Sequence, residues 1–310
     1  MRYMKTRLDL ILVNRNLVSG RDRAKALIME GVVFVNGEKE DKPGLMIDED
    51  KIKTLEIRSE TIPFVSRGGL KLAKAVSLWN LDFTGLVCLD IGASTGGFTD
   101  CMLQNGARKV YSVDVGYGQL DYGLRSDKRV CCMEKTNFRY SKPEDFDEQI
   151  SFAGADVSFI SLDKILKPAH SILDVGATMV VLIKPQFEAG RDKVGKNGVV
   201  RDKNVHIEVI NKVFDYAREA YFDILGLDFS PIRGPKGNIE YLLYLLNTDN
   251  SQMSNPAGEQ TIFQFDETAD TQLHLSGLAS NQMINIQRNK VRGHCQIDEI
   301  VELAHTHFGV

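Results

Sequence analysis

Residues 86–98 read Leu-Val-Cys-Leu-Asp-Ile-Gly-Ala-Ser-Thr-Gly-Gly-Phe. The apolar run Leu86–Asp90 has the length and composition of a buried strand, Gly92–Gly97 is a glycine-rich turn, and Phe98–Asn105 predicts a helix. A strand that passes through glycines into a helix marks the edge at which an open α/β sheet receives its ligands. The flanking sequence repeats the alternation. Lys109–Asp114, Val130–Met133, Ala155–Ile160, Met179–Lys184 and Glu240–Leu246 read as strands, with helices over Leu162–Leu173 and Asn204–Ala220. The order predicts a doubly wound, Rossmann-like α/β sheet.

The residues of the turn narrow the ligand. Glycines at 92, 96 and 97 let the backbone approach a bound molecule closely. Asp114, ending the next strand, could hold a ribose diol through two hydrogen bonds. A dinucleotide site would need Gly-x-Gly-x-x-Gly, but Ser94 stands at its second glycine. A carboxylate at Asp90 is also poorly placed beside a pyrophosphate. It suits a ligand with a cationic end, such as the amino and sulfonium groups of S-adenosylmethionine.

Four further charged residues border apolar runs. Lys71 lies in Ser66-Arg-Gly-Gly-Leu-Lys-Leu72, Asp156 at the end of a strand expected to begin near Ala155, Lys184 after Met-Val-Val-Leu-Ile, and Glu240 at the start of the last strand. Charges abutting buried strands are costly unless paired or functional. Two lysines and two carboxylates would neutralise one another in one cleft, bind a hydroxyl and tune a lysine toward base chemistry.

Residues 1–60 form a different unit. Leu8, Ile11 and Leu12 share a helical face, Ser19-Gly20 marks a stop and a possible cap, and Ala24, Leu27 and Ile28 share a face of Arg21–Glu30. Gly31, the strand Val32–Val35 and the turn Asn36-Gly37 follow, giving helix, turn, helix, hairpin. Residues 1–28 carry seven Lys/Arg against two acids, +5, while the whole chain carries −4. The overall charge alone argues against a partner as acidic as nucleic acid, but the local excess restores it.

The chain has 310 residues, 43% hydrophobic and 26% charged. This composition excludes collagen, a coiled-coil rod and a wholly disordered chain, and the length suggests two domains. The longest apolar run, near Met179–Ile183, falls far short of the ~18 residues of a membrane span, and the N-terminus carries no signal core. Five cysteines without a Cys-x-x-Cys pair read as reduced thiols of a cytoplasmic protein, with no zinc finger. After Leu246 the chain turns polar, Asn247–Gly258 reading as a linker. It recovers a helical face at Ile297, Ile300, Val301, Ala304 and Phe308 that should dock on the α/β domain. His305 and His307 share no face, His170, His206, His274 and His294 look isolated, and no metal site is expected.

Taken together, Ser66–Leu72, Leu89–Thr99, Ala155–Leu162, Leu182–Glu188 and Gly234–Leu242, behind a basic N-terminal module, resemble the TlyA family. Its members are called haemolysin A but act as ribosomal RNA 2′-O-methyltransferases. The α/β part is similar to FtsJ-type methyltransferases, and residues 6–50 resemble the RNA-binding module named after ribosomal protein S-four. The resemblance implies a Rossmann-like S-adenosylmethionine-dependent methyltransferase sheet (63–246) behind a small α+β RNA-binding domain (1–62), with 247–310 as linker and C-terminal helix (297–308). It implies a Lys71, Asp156, Lys184, Glu240 tetrad, with Lys184 taking or polarising a ribose hydroxyl proton, cytidine being the expected nucleoside. Asp90, Gly92, Ser94, Gly96, Gly97 and Asp114 would form the S-adenosyl-L-methionine site, with Asn137 on its adenine side. Arg7, Arg15, Arg21, Arg23, Lys25 and Arg67 would meet the phosphates of ribosomal RNA or ribosomal subunits. No membrane partner is implied, and the sequence leaves the oligomeric state open. Two other classes remain at this point: a pore-forming haemolysin, and a nicotinamide-dependent oxidoreductase on the same fold.

Overall fold

The computed structural model describes residues 5–18, 20–29, 31–57, 62–249 and 293–310. The Ser19 cap, His274 and most of the expected polar linker lie outside the described residues.

The N-terminal unit runs β1 (Lys5–Arg7), α1 (Leu8–Asn14), α2 (Arg21–Met29), β2 (Val33–Val35), β3 (Glu38–Glu40), β4 (Met46–Asp48) and β5 (Leu55–Ile57). Its core is Leu8, Leu12, Ala24, Leu27, Ile28, Val33 and Val35. The predicted hairpin turn forms as expected. Asn36 and Gly37 both take positive φ, 52° and 85°, and Val35 pairs with Glu38. This two-residue geometry matches the twist of the flanking strands. Asn36 does more than turn the chain, because its side-chain oxygen also accepts from the Lys53 and Thr54 amides beside β5.

The larger unit adds α3 (Gly68–Trp79), β6 (Val87–Ile91), α4 (Gly97–Gln104), β7 (Lys109–Val113), α5 (Tyr122–Ser126), β8 (Val130–Met133), β9 (Ile150–Ala155), α6 (Asp163–Ile172), β10 (Leu173–Ile183), α7 (Pro185–Glu188), α8 (Lys203–Glu219), β11 (Phe222–Phe229) and β12 (Tyr241–Asn247), with α9 (Gly293–Phe308) last. One sheet orders the strands β11-β12-β10-β9-β6-β7-β8. The five from β10 to β8 run parallel, and β12 is antiparallel to both its neighbours. The chain leaves β6 toward β7 and β8, then returns to β9 on the other side. The ends of β6 and β9 therefore flank the switch point of the sheet, where ligands bind in this architecture. Helices cover both faces. Leu89 and Ile91 pack with Leu166, Val213 and Val301 on one side, and Cys88 packs with Leu72, Phe98 and Met102 on the other.

Several sequence expectations need correction. The strand expected over Ala155–Ile160 is instead Ile150–Ala155, because Gly154 serves the sheet. A Cβ there would lie 2.7 Å from the Phe98 ring. Asp156 directly follows the strand end, which puts it on the ligand edge. Two elements had no clear sequence signature. α3 begins with Gly68-Gly69, poor helix formers; a Cβ on Gly69 would lie 2.4 Å from the Phe64 ring, and α4 comes close enough that a Cβ on its Gly97 would lie 2.6 Å from the Gly69 nitrogen. β11 interrupts its apolar pattern with Asp223, Gly226 and Asp228, and Gly226 makes room for the Trp79 indole. Asn247 is not linker. It is buried at the end of β12, and its amide donates to the Leu173 and Asp174 carbonyls while its oxygen meets His170 Nδ1 at 2.6 Å. Nor are His170 and His206 isolated, because His170 Nδ1 meets that Asn247 oxygen and His206 Nδ1 lies 2.7 Å from the Tyr241 hydroxyl and 3.3 Å from His305 Nε2. Burial lowers the His206 pKa to about 4, so that imidazole is neutral at physiological pH. The C-terminal helix docks as predicted, burying Ile297, Val301 and Ala304.

Candidate active site

The four tetrad residues come from four separate elements. Lys71 stands in the first turns of α3, Asp156 directly follows β9, Lys184 directly follows β10, and Glu240 directly precedes β12. The last placement follows from topology. An antiparallel strand begins where its parallel neighbours end, and Ile183 pairs with Tyr241, so Glu240 arrives opposite Lys184. Lys71 Nζ lies 2.9 Å from Asp156 Oδ2 and 2.8 Å from Glu240 Oε2. Lys184 Nζ lies 2.5 Å from Asp156 Oδ1 and 3.0 Å from Ser158 Oγ. Lys71, Lys184 and Glu240 are buried, and the Asp156 side chain is 18% exposed.

Two cations and two anions sum to zero, which is what makes this burial tolerable. Burial alone would lower the Lys71 pKa. The charges of Asp156 and Glu240 and their hydrogen bonds outweigh it and hold the group firmly as ammonium. Burial would likewise raise the Asp156 pKa, and the two lysines reverse it, keeping a carboxylate well below its ordinary range. Three supporting residues were not singled out from sequence. Ser158 accepts from Lys184, Gln186 donates to Glu240 Oε1 at 3.2 Å, and Gly234 leaves the space the Glu240 carboxylate occupies. Ser158 and Gln186 each lie two residues beyond a tetrad member, which was the available signal.

The glycine turn abuts this cluster, since a Cβ on Gly92 would lie 3.1 Å from the Asp156 carbonyl oxygen. Gly92 and Gly96 take φ of 83° and 99°, open to glycine at little cost. Asp90 is buried. Its Oδ2 accepts from the Thr99 amide at 2.8 Å and the Thr99 hydroxyl at 2.6 Å, while Oδ1 is buried without a hydrogen-bond partner. Burial pushes the Asp90 pKa up to about 7 against those two bonds, and the Asp156 and Asp114 charges add to the rise. An orphaned carboxylate oxygen beside glycine backbone is what a cationic ligand group would complete, so these residues fit S-adenosylmethionine. Asp114 is held by the Ser94 and Gly116 amides at 2.8 and 2.6 Å. Asn137 follows the edge strand β8, exposed, with its side-chain oxygen accepting from the Arg139 amide.

The expected phosphate-binding residues divide. Arg7 and Arg21 close on buried Asp9, at 2.9 and 3.1 Å. The hydrogen bond from Arg7 does most, against burial, to lower the Asp9 pKa to about 2. Arg23 donates to the Val65 carbonyl at 2.8 Å, joining the small unit to the segment before α3. These three guanidinium groups thus hold structure as well as presenting charge. Arg15 is exposed, and Lys25 and Arg67 are half-buried. Among the described residues no group of three or more His, Cys, Asp or Glu is arranged to hold a metal ion.

Comparison with known proteins bears on this geometry directly. The FtsJ-like methyltransferase model matches residues 64–246, and the S4 domain model matches residues 6–52. The chain belongs to the TlyA family of FtsJ-like methyltransferases. YqxC of Bacillus subtilis, provisionally named an rRNA methyltransferase, is 47% identical over 266 residues, covering 86% of this chain and 94% of its own. The 16S/23S rRNA (cytidine-2′-O)-methyltransferase TlyA of Mycobacterium tuberculosis is 38% identical over 258 residues, covering 83% and 96%. A solved structure from Streptococcus thermophilus, described as a hemolysin, superposes with a TM-score of 0.69 at 43% identity, covering 99% of this chain and 98% of its own. A TlyA-family chain with a methyltransferase sheet and an S4 domain accounts for the crevice, the basic N-terminal unit and their order.

Proposed function

We propose that this chain transfers a methyl group from S-adenosylmethionine to ribose 2′-hydroxyls of ribosomal RNA, cytidine being the nucleoside named in the M. tuberculosis relative. The observation that carries the reading is the Lys71–Asp156–Lys184–Glu240 cluster set against the orphaned Asp90 oxygen at the switch point. The bound cofactor would supply an electrophilic methyl group on a sulfonium. Asp90, the backbone at Gly92, Gly96 and Gly97, and Asp114 would hold it. Lys184 orients the ribose hydroxyl and, once its ammonium has released a proton to solvent, takes the hydroxyl proton. Asp156 fixes Lys184 and offsets the charge that the proton brings. Lys71 and Glu240 fix the far side of the cluster and leave it neutral overall. Positioning of this kind supplies much of the rate in a bimolecular transfer. The N-terminal unit would grip RNA backbone through Arg15 and Lys25 and the charge of Arg7, Arg21 and Arg23, with Arg67 at the start of α3 adding to it. Ribosomal RNA as substrate makes the cytoplasm the expected place of action. Among the described residues no helix is long and apolar enough to cross a membrane. Incorporation of label from S-adenosylmethionine into the RNA of ribosomal subunits tests the reading; label found only in protein, or nowhere, contradicts it.

Two predictions arise here. Phe159 is 91% exposed, takes φ 63°, and packs at 4.9 Å on Phe187 beside the tetrad. A bulky residue held in left-handed backbone with its ring in solvent suits a stacking platform for the target base. Stacking contributes about 1–3 kcal/mol per base, so Phe159→Ala lowers kcat/KM for RNA by roughly five- to 150-fold with cofactor affinity unchanged. An unaltered kcat/KM refutes the platform. The second concerns Asp90, which must be ionised to meet a cationic group. Calorimetry should find S-adenosylmethionine affinity level above pH 7 and falling by about tenfold per pH unit below it. The Asp90→Asn variant should bind weakly with no such slope. A flat profile in the parent contradicts the assignment.

A further inference from the structure

Glu188 is used by neither the cofactor site nor the tetrad, yet it is a carboxylate only 4% exposed. It closes α7, the single turn that begins one residue after Lys184. Opposite α7 runs the segment from Asp156 to Leu162, which leads into α6. The two segments are joined at both ends. At the near end Lys184 meets Asp156 and Ser158, and Phe187 packs on Phe159. At the far end Glu188 Oε2 accepts from the Ser161 hydroxyl at 2.6 Å and Oε1 from the Leu162 amide at 2.8 Å.

Between these ends sits the positive φ of Phe159. Left-handed backbone at a bulky residue persists only where the surroundings over-determine it. Lys184 holds one side of that residue through Ser158. Glu188 holds the other through Ser161 and Leu162. The partners of the Glu188 carboxylate are a hydroxyl and a main-chain amide, and the Lys212 ammonium donates to the Glu188 carbonyl instead. Burial accordingly raises the Glu188 pKa. A buried carboxylate is costly to desolvate, and its two contacts are both spent on fixing the Ser161–Leu162 backbone and side chain.

We propose that Glu188 is a positioning residue for methyl transfer. By clamping Ser161 and Leu162 it holds the 156–162 segment in the one conformation that keeps Ser158 on Lys184 and presents Phe159 at the mouth of the site. The proposal rests on Lys184 acting on the substrate hydroxyl.

The test compares Glu188→Ala, Glu188→Gln and Lys184→Ala in the full chain, with kcat and KM for ribosomal subunits and calorimetric affinity for S-adenosylmethionine. Glu188→Ala should lose about ten- to hundredfold in kcat while cofactor affinity stays within about twofold, since the glycine turn is untouched. Glutamine can keep both contacts, its oxygen accepting from the Leu162 amide and its nitrogen donating to the Ser161 oxygen. Glu188→Gln should therefore return kcat to within about threefold of the parent. A residue that only caps α6 would lower the melting temperature of Glu188→Ala without lowering kcat of the folded enzyme. A parental kcat in Glu188→Ala, or a glutamine variant as slow as alanine, overturns the proposal. If Glu188→Ala does not fold, Ser161→Ala decides: a kcat at least about threefold lower supports the clamp, and a parental kcat overturns it. An active Lys184→Ala would overturn the proposed function itself, whereas an inactive Lys184→Ala beside a fully active Glu188→Ala removes only the clamp.

Discussion

Lys184→Ala should lower kcat for methyl transfer by about 10²–10⁴-fold, the usual contribution of a positioned acid or base. Cofactor affinity should change little, because Lys184 contacts Asp156 and Ser158 and not the glycine turn. Lys184→Arg sharpens the result. Arginine keeps the positive charge beside Asp156, but its guanidinium does not give up a proton in proteins and so cannot take one. Both variants should therefore be slow if Lys184 accepts the hydroxyl proton. An arginine variant within about tenfold of the parent would reduce Lys184 to a source of charge. The measurement is a steady-state rate at saturating cofactor and RNA, with calorimetry as the check on binding.

Lys71→Met should produce the largest loss of stability. Lys71 bridges Asp156 and Glu240, and the Glu240 side chain is wholly buried. Removing one partner of a buried pair costs about 3–5 kcal/mol because the remaining charge has no compensation. For a domain of this size that lowers Tm by roughly 6–20 °C. The sign of the pH dependence follows from Asp156, whose pKa is depressed in the fold. Its contribution is present above the unfolded carboxylate value of about 4 and is lost as the pH falls through the folded value. The deficit of Lys71→Met should thus be greatest near neutrality and shrink in acid. Adding Glu240→Leu should recover part of the loss, since replacing a buried pair by apolar residues is often neutral or favourable. Thermal melts of parent, single and double variants from about pH 2 to pH 8 check this. A single variant melting within about 2 °C of the parent would mean that the cluster is hydrated rather than buried.

Much of this was readable from sequence where local rules and tertiary demand agree. The apolar run Leu86–Asp90 with its glycines, and Asn36-Gly37, each specify one local geometry, and both formed. Local rules failed where the tertiary structure chose the residue. Gly68-Gly69 argues against a helix by propensity, yet opens α3, where the Phe64 side chain packs too close to Gly69 for a Cβ. Gly154 weakens a strand signal but admits the Phe98 ring, which displaced the expected β9 toward Asp156. Asp223 and Asp228 hid β11, an edge strand with little need of an unbroken apolar face. The tetrad residues were legible one by one as charges at strand ends. Their pairing was not, because it depends on β12 running antiparallel to β10. The roles of Arg7, Arg21 and Arg23 were only half legible, since a count of basic residues does not reveal that Asp9 is buried between two of them. The contact between His206 and His305 joins residues 99 apart, beyond any helical or strand spacing.

The central claim is that the Lys71–Asp156–Lys184–Glu240 cluster directs a methyl group onto a ribose oxygen. The most direct measurement is to incubate the parent chain with labelled S-adenosylmethionine and ribosomal subunits, digest the RNA to nucleosides and identify the labelled product. The account predicts 2′-O-methylcytidine, formed by the parent and absent with Lys184→Ala. A label carried on a base, or undiminished ribose methylation by Lys184→Ala, would contradict it.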